Sequence, residues 1–192
     1  MPNTTPPLDS PESIKFIIDK SANCPIFIHP IGAVSKSQNG EELTEVEGMV
    51  KEGAVAVSDD GLPITDSQVM RLALEYSSMF NIPVINHAED ECLRNDGVMN
   101  EGEVSTRLGL SGNPSLSESI MIQRDLELAN LIKTNIHVPH VSSSSGVSHI
   151  KRMKKINPKI SAEVTPHHLY FNDNALSLSL IHISEPTRLG MI

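Results

Sequence analysis

Ala54-Val55-Ala56-Val57-Ser58-Asp59-Asp60-Gly61 is a short apolar β-type run that ends in a pair of carboxylates. Two more runs have the same design: Ile82-Pro83-Val84-Ile85-Asn86-His87, and Asn135-Ile136-His137-Val138-Pro139-His140-Val141-Ser142. Short buried strands alternating with helical stretches predict a parallel α/β barrel, where functional side chains collect at the carboxyl ends of the strands. Asp60, His87 and His140 each stand at or just beyond such an end. A carboxylate and two imidazoles from successive strands are hard or borderline donors of the kind that hold Zn²⁺ or a similar divalent ion. Metal-assisted hydrolysis is therefore the leading reaction class.

The chain has 192 residues, whereas a complete eight-stranded α/β barrel typically needs about 250. Its hydrophobic fraction of 39% and charged fraction of 20% suit a soluble globular protein, but aromatics make up only 3%, so the core rests on Ile, Val, Leu, Met and Ala. A formal charge of -9, from 24 acidic against 15 basic residues, comes with no long basic block and argues against nucleic-acid binding. The two cysteines, Cys24 and Cys92, cannot form a disulfide framework. No signal peptide or membrane-length apolar run is present, so membrane association is not expected and a reducing cytoplasm fits best.

Three prolines in Met1-Pro2-Asn3-Thr4-Thr5-Pro6-Pro7 exclude a helix interior. Ser10 before Pro11, with Ile14, Ile17 and Ile18 at helical spacing, predicts a helix over about 11 to 21. Residues 25 to 32 read as a strand, and Leu43, Val46 and Val50 mark the next helix. Asp66 is placed to cap a helix whose inner face carries Val69, Met70, Ala73 and Leu74. Residues 88 to 115 form a long acidic, glycine-bearing connection, of a length usually reserved for functional loops or lids. Leu116 to Ile132 resumes helical spacing. After His140 come a serine-rich turn, a basic helix with Val147, Ile150 and Met153 facing inward, and a last strand and loop over 159 to 168. Five strands are expected in all.

Six motifs in this order resemble those of dihydroorotases of the long bacterial class, cyclic amidohydrolases of the amidohydrolase superfamily. They are Met1-Pro2-Asn3-Thr4, Ser58-Asp59-Asp60-Gly61, Asn86-His87-Ala88-Glu89-Asp90, Asn100-Glu101-Gly102, His140-Val141-Ser142 and Glu163-Val164-Thr165-Pro166-His167-His168-Leu169. The similarity runs from residue 1 to about 175. It implies an incomplete TIM-type (β/α)8 barrel of the metal-dependent hydrolase kind, with first and last strands missing. It further implies that Asp60, His87 and His140 ligate one or two Zn²⁺ ions and that Asn3 contacts the substrate carboxylate.

The implied reaction is the reversible cyclisation of N-carbamoyl-L-aspartate to L-dihydroorotate, a step of de novo pyrimidine biosynthesis. A divalent ion polarises the carbonyl and lowers the pKa of bound water from about 15.7 to about 7, while a carboxylate moves protons. The family's upstream His-x-His pair and downstream proton-shuttle Asp have no counterpart here, so no catalytic residue is assigned within the chain. The expectation is an internal fragment, inactive alone, with a partial barrel over 1–176. Residues 177–192, which include Leu178 to Arg188, resemble a translated sequencing-library adapter and are expected to be a non-native tail. By resemblance the full-length protein takes a small-molecule substrate, forms a homo-oligomer and associates with aspartate transcarbamoylase.

Bland readings compete. Asp59 and Asp60 before Gly61 suit a simple turn, and a strand histidine is by default buried and hydrogen-bonded. His137 rivals His140, but strand residues three apart face opposite ways, so only one can point inward; family spacing selects His140. His167 and His168 read as structural, His29 and His149 as ordinary, and the acidic stretch before Cys92 disfavours a nucleophilic thiolate. Two other functions remain in play: a non-catalytic dihydroorotase-like scaffold subunit, and a related cyclic amidohydrolase acting on a hydantoin or allantoin. In those hydantoinase-type relatives a carboxylated lysine takes the strand position used here by Asp60, which favours dihydroorotase.

Overall fold

The computed structural model describes residues 1–178. In chain order the elements are α1 (Pro11–Ser21), β1 (Ile31–Gly32), α2 (Val46–Lys51), β2 (Ala56–Ser58), α3 (Ser67–Ser78), β3 (Val84–Ile85), α4 (Glu91–Arg94), β4 (Met99–Asn100), α5 (Glu103–Leu108), β5 (Gly112–Asn113), α6 (Leu116–Ile132), β6 (Ile136–Val138), α7 (Ser144–Lys154), β7 (Ile160–Ala162) and α8 (Pro166–Tyr170). The tail expectation concerns residues that lie, from 179 on, outside the described residues.

The five strands β1-β2-β3-β6-β7 form one parallel sheet in the order in which the chain visits them. Each crossover therefore steps the same way, with none of the reversal that marks a doubly wound sheet, and this one-way winding is what a parallel barrel requires. The register is set by Ile31↔Ala56, Val57↔Val84, Ile85↔His137 and Val138↔Ala162. All of β2 is buried, because helices cover a parallel sheet and both strand faces must be apolar. Val57, Met70, Leu74, Ile122, Leu126 and Ile136 are fully enclosed in the core.

Local chemistry explains the helix boundaries. Ser10 caps α1 through the Ser13 amide, with Pro11 in the first turn. The Asp66 carboxylate accepts from the Gln68 and Val69 amides, and Ser143 caps α7 through the Gly146 amide. Met70, Ala73 and Leu74 are buried as the spacing predicts. Among the described residues no helix is long and apolar enough to cross a membrane.

Four local readings need correction. Residues 25 to 30 are not a strand: only Ile31–Gly32 pair, and Phe27 is 94% exposed. Pro25 and Pro30 have no N–H to donate, and β1 has a single neighbour in the sheet. Val147 is exposed while Ile150 and Met153 are buried, so the inner stripe of α7 is narrower than expected. His167 and His168 belong to a short helix begun by Thr165 and Pro166. The 88 to 115 connection is built rather than loose: it holds α4, α5 and a two-stranded parallel sheet, β4 on β5.

Candidate active site

Parallel strands end on one rim, so the residues leaving β2, β3 and β6 share it. Asp60 and His87 each stand two residues past the last paired residues of β2 and β3, Ser58 and Ile85. On the other side of β3, His140 leaves β6. The structure brings the two histidines into contact, with His87 Nδ1 3.2 Å from His140 Nε2 and ring centroids 5.0 Å apart. Both imidazoles line a cavity of ≈ 190 Å³ together with Glu89, Asn113, Glu118, Ser142 and His168.

Zn–N bonds of about 2.0–2.1 Å in tetrahedral geometry place two ligand nitrogens about 3.3–3.4 Å apart. The His87–His140 spacing is close to that edge, so the pair fits a shared ion without rearranging the strands. His87 Nε2 stands 3.6 Å from Glu89 Oε2. That is just beyond hydrogen-bond reach, so the carboxylate stands beside the imidazole without bonding it.

Asp60 is placed differently from the expectation of a three-residue cluster. Among the described residues no three His, Cys, Asp or Glu side chains converge closely enough to hold one ion. The backbone gives the reason. Asp60 and Gly61 have φ of 29° and 71°, so the chain turns off the strand direction at the position where the carboxylate would otherwise continue it. The turn reading of Asp-Gly thus describes Asp60 well. Asp59 is no turn former: it is buried, and its carboxylate accepts from the Val34 amide at 2.8 Å, the Ser35 amide at 3.0 Å and the Ser35 hydroxyl. It ties the β1 exit to the β2 exit.

Asn3 is exposed and outside the lining of the histidine cavity. Its segment docks beside the end of β1, where the Ala33 amide donates to Leu8 O at 2.8 Å. His137 points away from the site, with Nδ1 2.9 Å from Ser161 Oγ and Nε2 3.7 Å from Glu163. His140 lies beyond the end of β6 with φ 41°, so it is this turn, and not strand alternation, that carries its ring to His87. His168, read from sequence as structural, lines the cavity beside His87 and His140.

Several residues that build the rim escaped sequence reasoning. The Asn86 side chain donates to Asp125 at 2.6 Å and accepts from the Ile64 amide at 3.2 Å. Arg124 donates to Asp125 at 2.6 and 2.8 Å and to the carbonyls of Ile64 and Thr65. Glu118 accepts from the Ser142 amide, the Ser142 hydroxyl and the Ser143 amide at 2.8, 3.0 and 2.6 Å. All three acidic or basic residues lie on α6, where sequence offers only helical periodicity. The one available signal was a charged residue on a helix whose opposite face must be buried.

Burial pushes the Asp59 carboxyl up, against the donors from Ser35 and Val34. Burial also raises Asp125, opposed first by the Arg124 charge and then by hydrogen bonds from Asn86 and Arg124. A native value above the ordinary 3.8 means that the folded state binds the proton more tightly than the unfolded chain. This group's contribution therefore makes stability fall as pH rises from 3.8 through the raised native value. Asp125→Asn is expected to flatten that part of the profile, read from urea midpoints across a pH series. An unchanged slope would mean that Asp125 titrates alike in both states.

The profile of the family described as Dihydro-orotase-like matches residues 1–146. A protein named dihydroorotase from Ruminiclostridium cellulolyticum is 46% identical over 176 residues, covering 91% of this chain and 41% of that protein. One of the same name from Acetivibrio thermocellus is 47% identical over 176 residues, with the same two coverages. The chain thus spans about two fifths of the length of these relatives. Among solved structures, an L-hydantoinase (dihydropyrimidinase) from Arthrobacter aurescens superposes with a TM-score of 0.70 at 17% identity, over 91% of this chain and 40% of that one. A D-hydantoinase gives 0.66 at 16%, over 89% and 39%. The fold is therefore that of part of the TIM-type barrel of these hydantoinases.

Proposed function

Because this chain belongs to the dihydro-orotase-like family, we propose that it carries part of the metal site of a dihydroorotase. The reaction is the reversible cyclisation of N-carbamoyl-L-aspartate to L-dihydroorotate, in which the ureido nitrogen closes on a carboxyl group and water leaves. The observation that carries this reading is the His87 Nδ1 to His140 Nε2 distance of 3.2 Å at the carboxyl ends of β3 and β6.

His87 and His140 would hold Zn²⁺; Asp60, in the turn after the neighbouring strand and not converged on the pair, is assigned as a third, anionic donor by the family motif. A bound ion would polarise the reacting carbonyl and make water nucleophilic near neutral pH. The chain's own contributions are more specific. Glu89 lies 3.6 Å from the second ring nitrogen of His87, within reach of a hydrogen bond on a small shift, and His140 sits at the β6 exit with φ of 41°, so the two donors already face each other. Asn3, on the segment docked at the β1 exit, is assigned to the substrate carboxylate.

The test has two parts. Zn²⁺ or Co²⁺ titration of this chain should show saturable binding that competes with a chelator. Turnover should be measured in the longest natural protein that includes the chain, with L-dihydroorotate, hydantoin and allantoin as alternatives. The expected result is metal-dependent opening of dihydroorotate in preference to the other two rings. Preferred turnover of hydantoin or allantoin would reassign the substrate, and metal binding without turnover of any ring would favour a scaffold.

A further inference from the structure

We infer that α6 sets the spacing of the two histidines through Glu118 and Asp125, one positioning residue for each. The inference rests on the proposed metal pair but uses different residues. Glu118 and Asp125 are seven apart, so they fall on the same face of the helix about 10.5 Å apart along its axis. Each reaches the chain within three residues of one imidazole. Asp125 Oδ2 takes the Asn86 side-chain amide at 2.6 Å, and Asn86 precedes His87. Glu118 takes two amides and a hydroxyl from Ser142 and Ser143, two and three residues past His140.

These bonds oppose a real tendency to move. His140 is a non-glycine residue in the left-handed region, φ 41°, which persists only where surrounding contacts hold it. The Glu118 carboxylate uses three acceptor positions on that loop, so it is committed to structure and not poised for proton transfer. Helix α7 is pressed against the same point: a Cβ on Gly146 would lie 2.7 Å from Ser143 Oγ, 2.8 Å from Ile122 Cδ1 and 3.2 Å from Glu118 Oε2. One helix therefore carries both clamps, and displacing the backbone beside either histidine pulls on charge-assisted hydrogen bonds to it.

The experiment compares Glu118→Ala, Glu118→Gln and Asp125→Asn with wild type and with Ile14→Val, a core change on α1, which packs on α2 and does not line the histidine cavity. In metal-free protein the nuclear Overhauser contact between the His87 and His140 rings is measured. It should be lost or strongly weakened in Glu118→Ala and kept in Ile14→Val. Co²⁺ affinity should fall about 10–100-fold in Glu118→Ala, the range typical of outer partners of a metal ligand. Glu118→Gln, which keeps one acceptor, should recover part of both signals, and Asp125→Asn should shift the His87 resonances. An undisturbed ring contact in Glu118→Ala would overturn the inference, as would equal loss in Ile14→Val. The ring contact decides the matter without the ion, so a wild type that binds no Co²⁺ would refute the metal reading separately.

Discussion

Asp125→Ala is expected to cost about 3–5 kcal/mol, the usual penalty for removing one partner of a buried ion pair. Asp125 is 1% exposed, and its removal strands two donors at once. The Arg124 side chain, itself only 16% exposed, loses its counter-charge, and the Asn86 amide loses its acceptor in the core. Asn86 and Arg124 also hold Ile64 and Thr65, so the loop that follows β2 loosens with them. Asp125→Asn keeps the volume and one acceptor oxygen and should lose much less. The check is the denaturant midpoint at constant m-value. A loss below about 1 kcal/mol for the alanine variant would show the cluster to be worth no more than ordinary neutral hydrogen bonds.

His140→Asn is expected to reduce Zn²⁺ affinity more than about 100-fold, beyond the 10–100-fold that follows loss of an outer partner. Asparagine is the informative replacement because it tolerates the left-handed backbone better than most residues. Since His140 is half-buried and its ring contact is with His87, the fold should survive the change. The readout is a chelator-competition titration, with thermal unfolding as the control. Undiminished affinity in a folded His140→Asn protein would remove His140 from the ligand set and with it the proposed site.

Much of the architecture was legible because it depends on pattern. The apolar runs ending at Asp60, His87 and His140 gave the parallel strands, and helical spacing gave α1 and α6 with their observed bounds. What was not legible depends on tertiary partners. Nothing in the spacing of Asp59 and Asp60 tells which carboxylate is buried under the β1 exit and which enters the turn. Pro25 to Pro30 has strand composition, yet lacks donors at the edge where it lies. Glu118 and Asp125 look like ordinary helix polar residues until the loops they face are known. The β4–β5 sheet arises from two-residue strands, Met99–Asn100 and Gly112–Asn113, too short to leave a period.

The winding of the sheet also orders its assembly in time. Neighbouring strands β1 and β2, β2 and β3, and β6 and β7 are joined by single helical crossovers, whereas β3 and β6 pair across the whole α4-to-α6 excursion. That excursion roughly doubles the chain to be closed, which adds about 0.6 kcal/mol of closure entropy, and non-local pairings of this kind are slow to form. The strands involved are those that deliver His87 and His140. Until that seam closes the two imidazoles stay apart, so an unfinished chain has no paired donors with which to capture a metal ion.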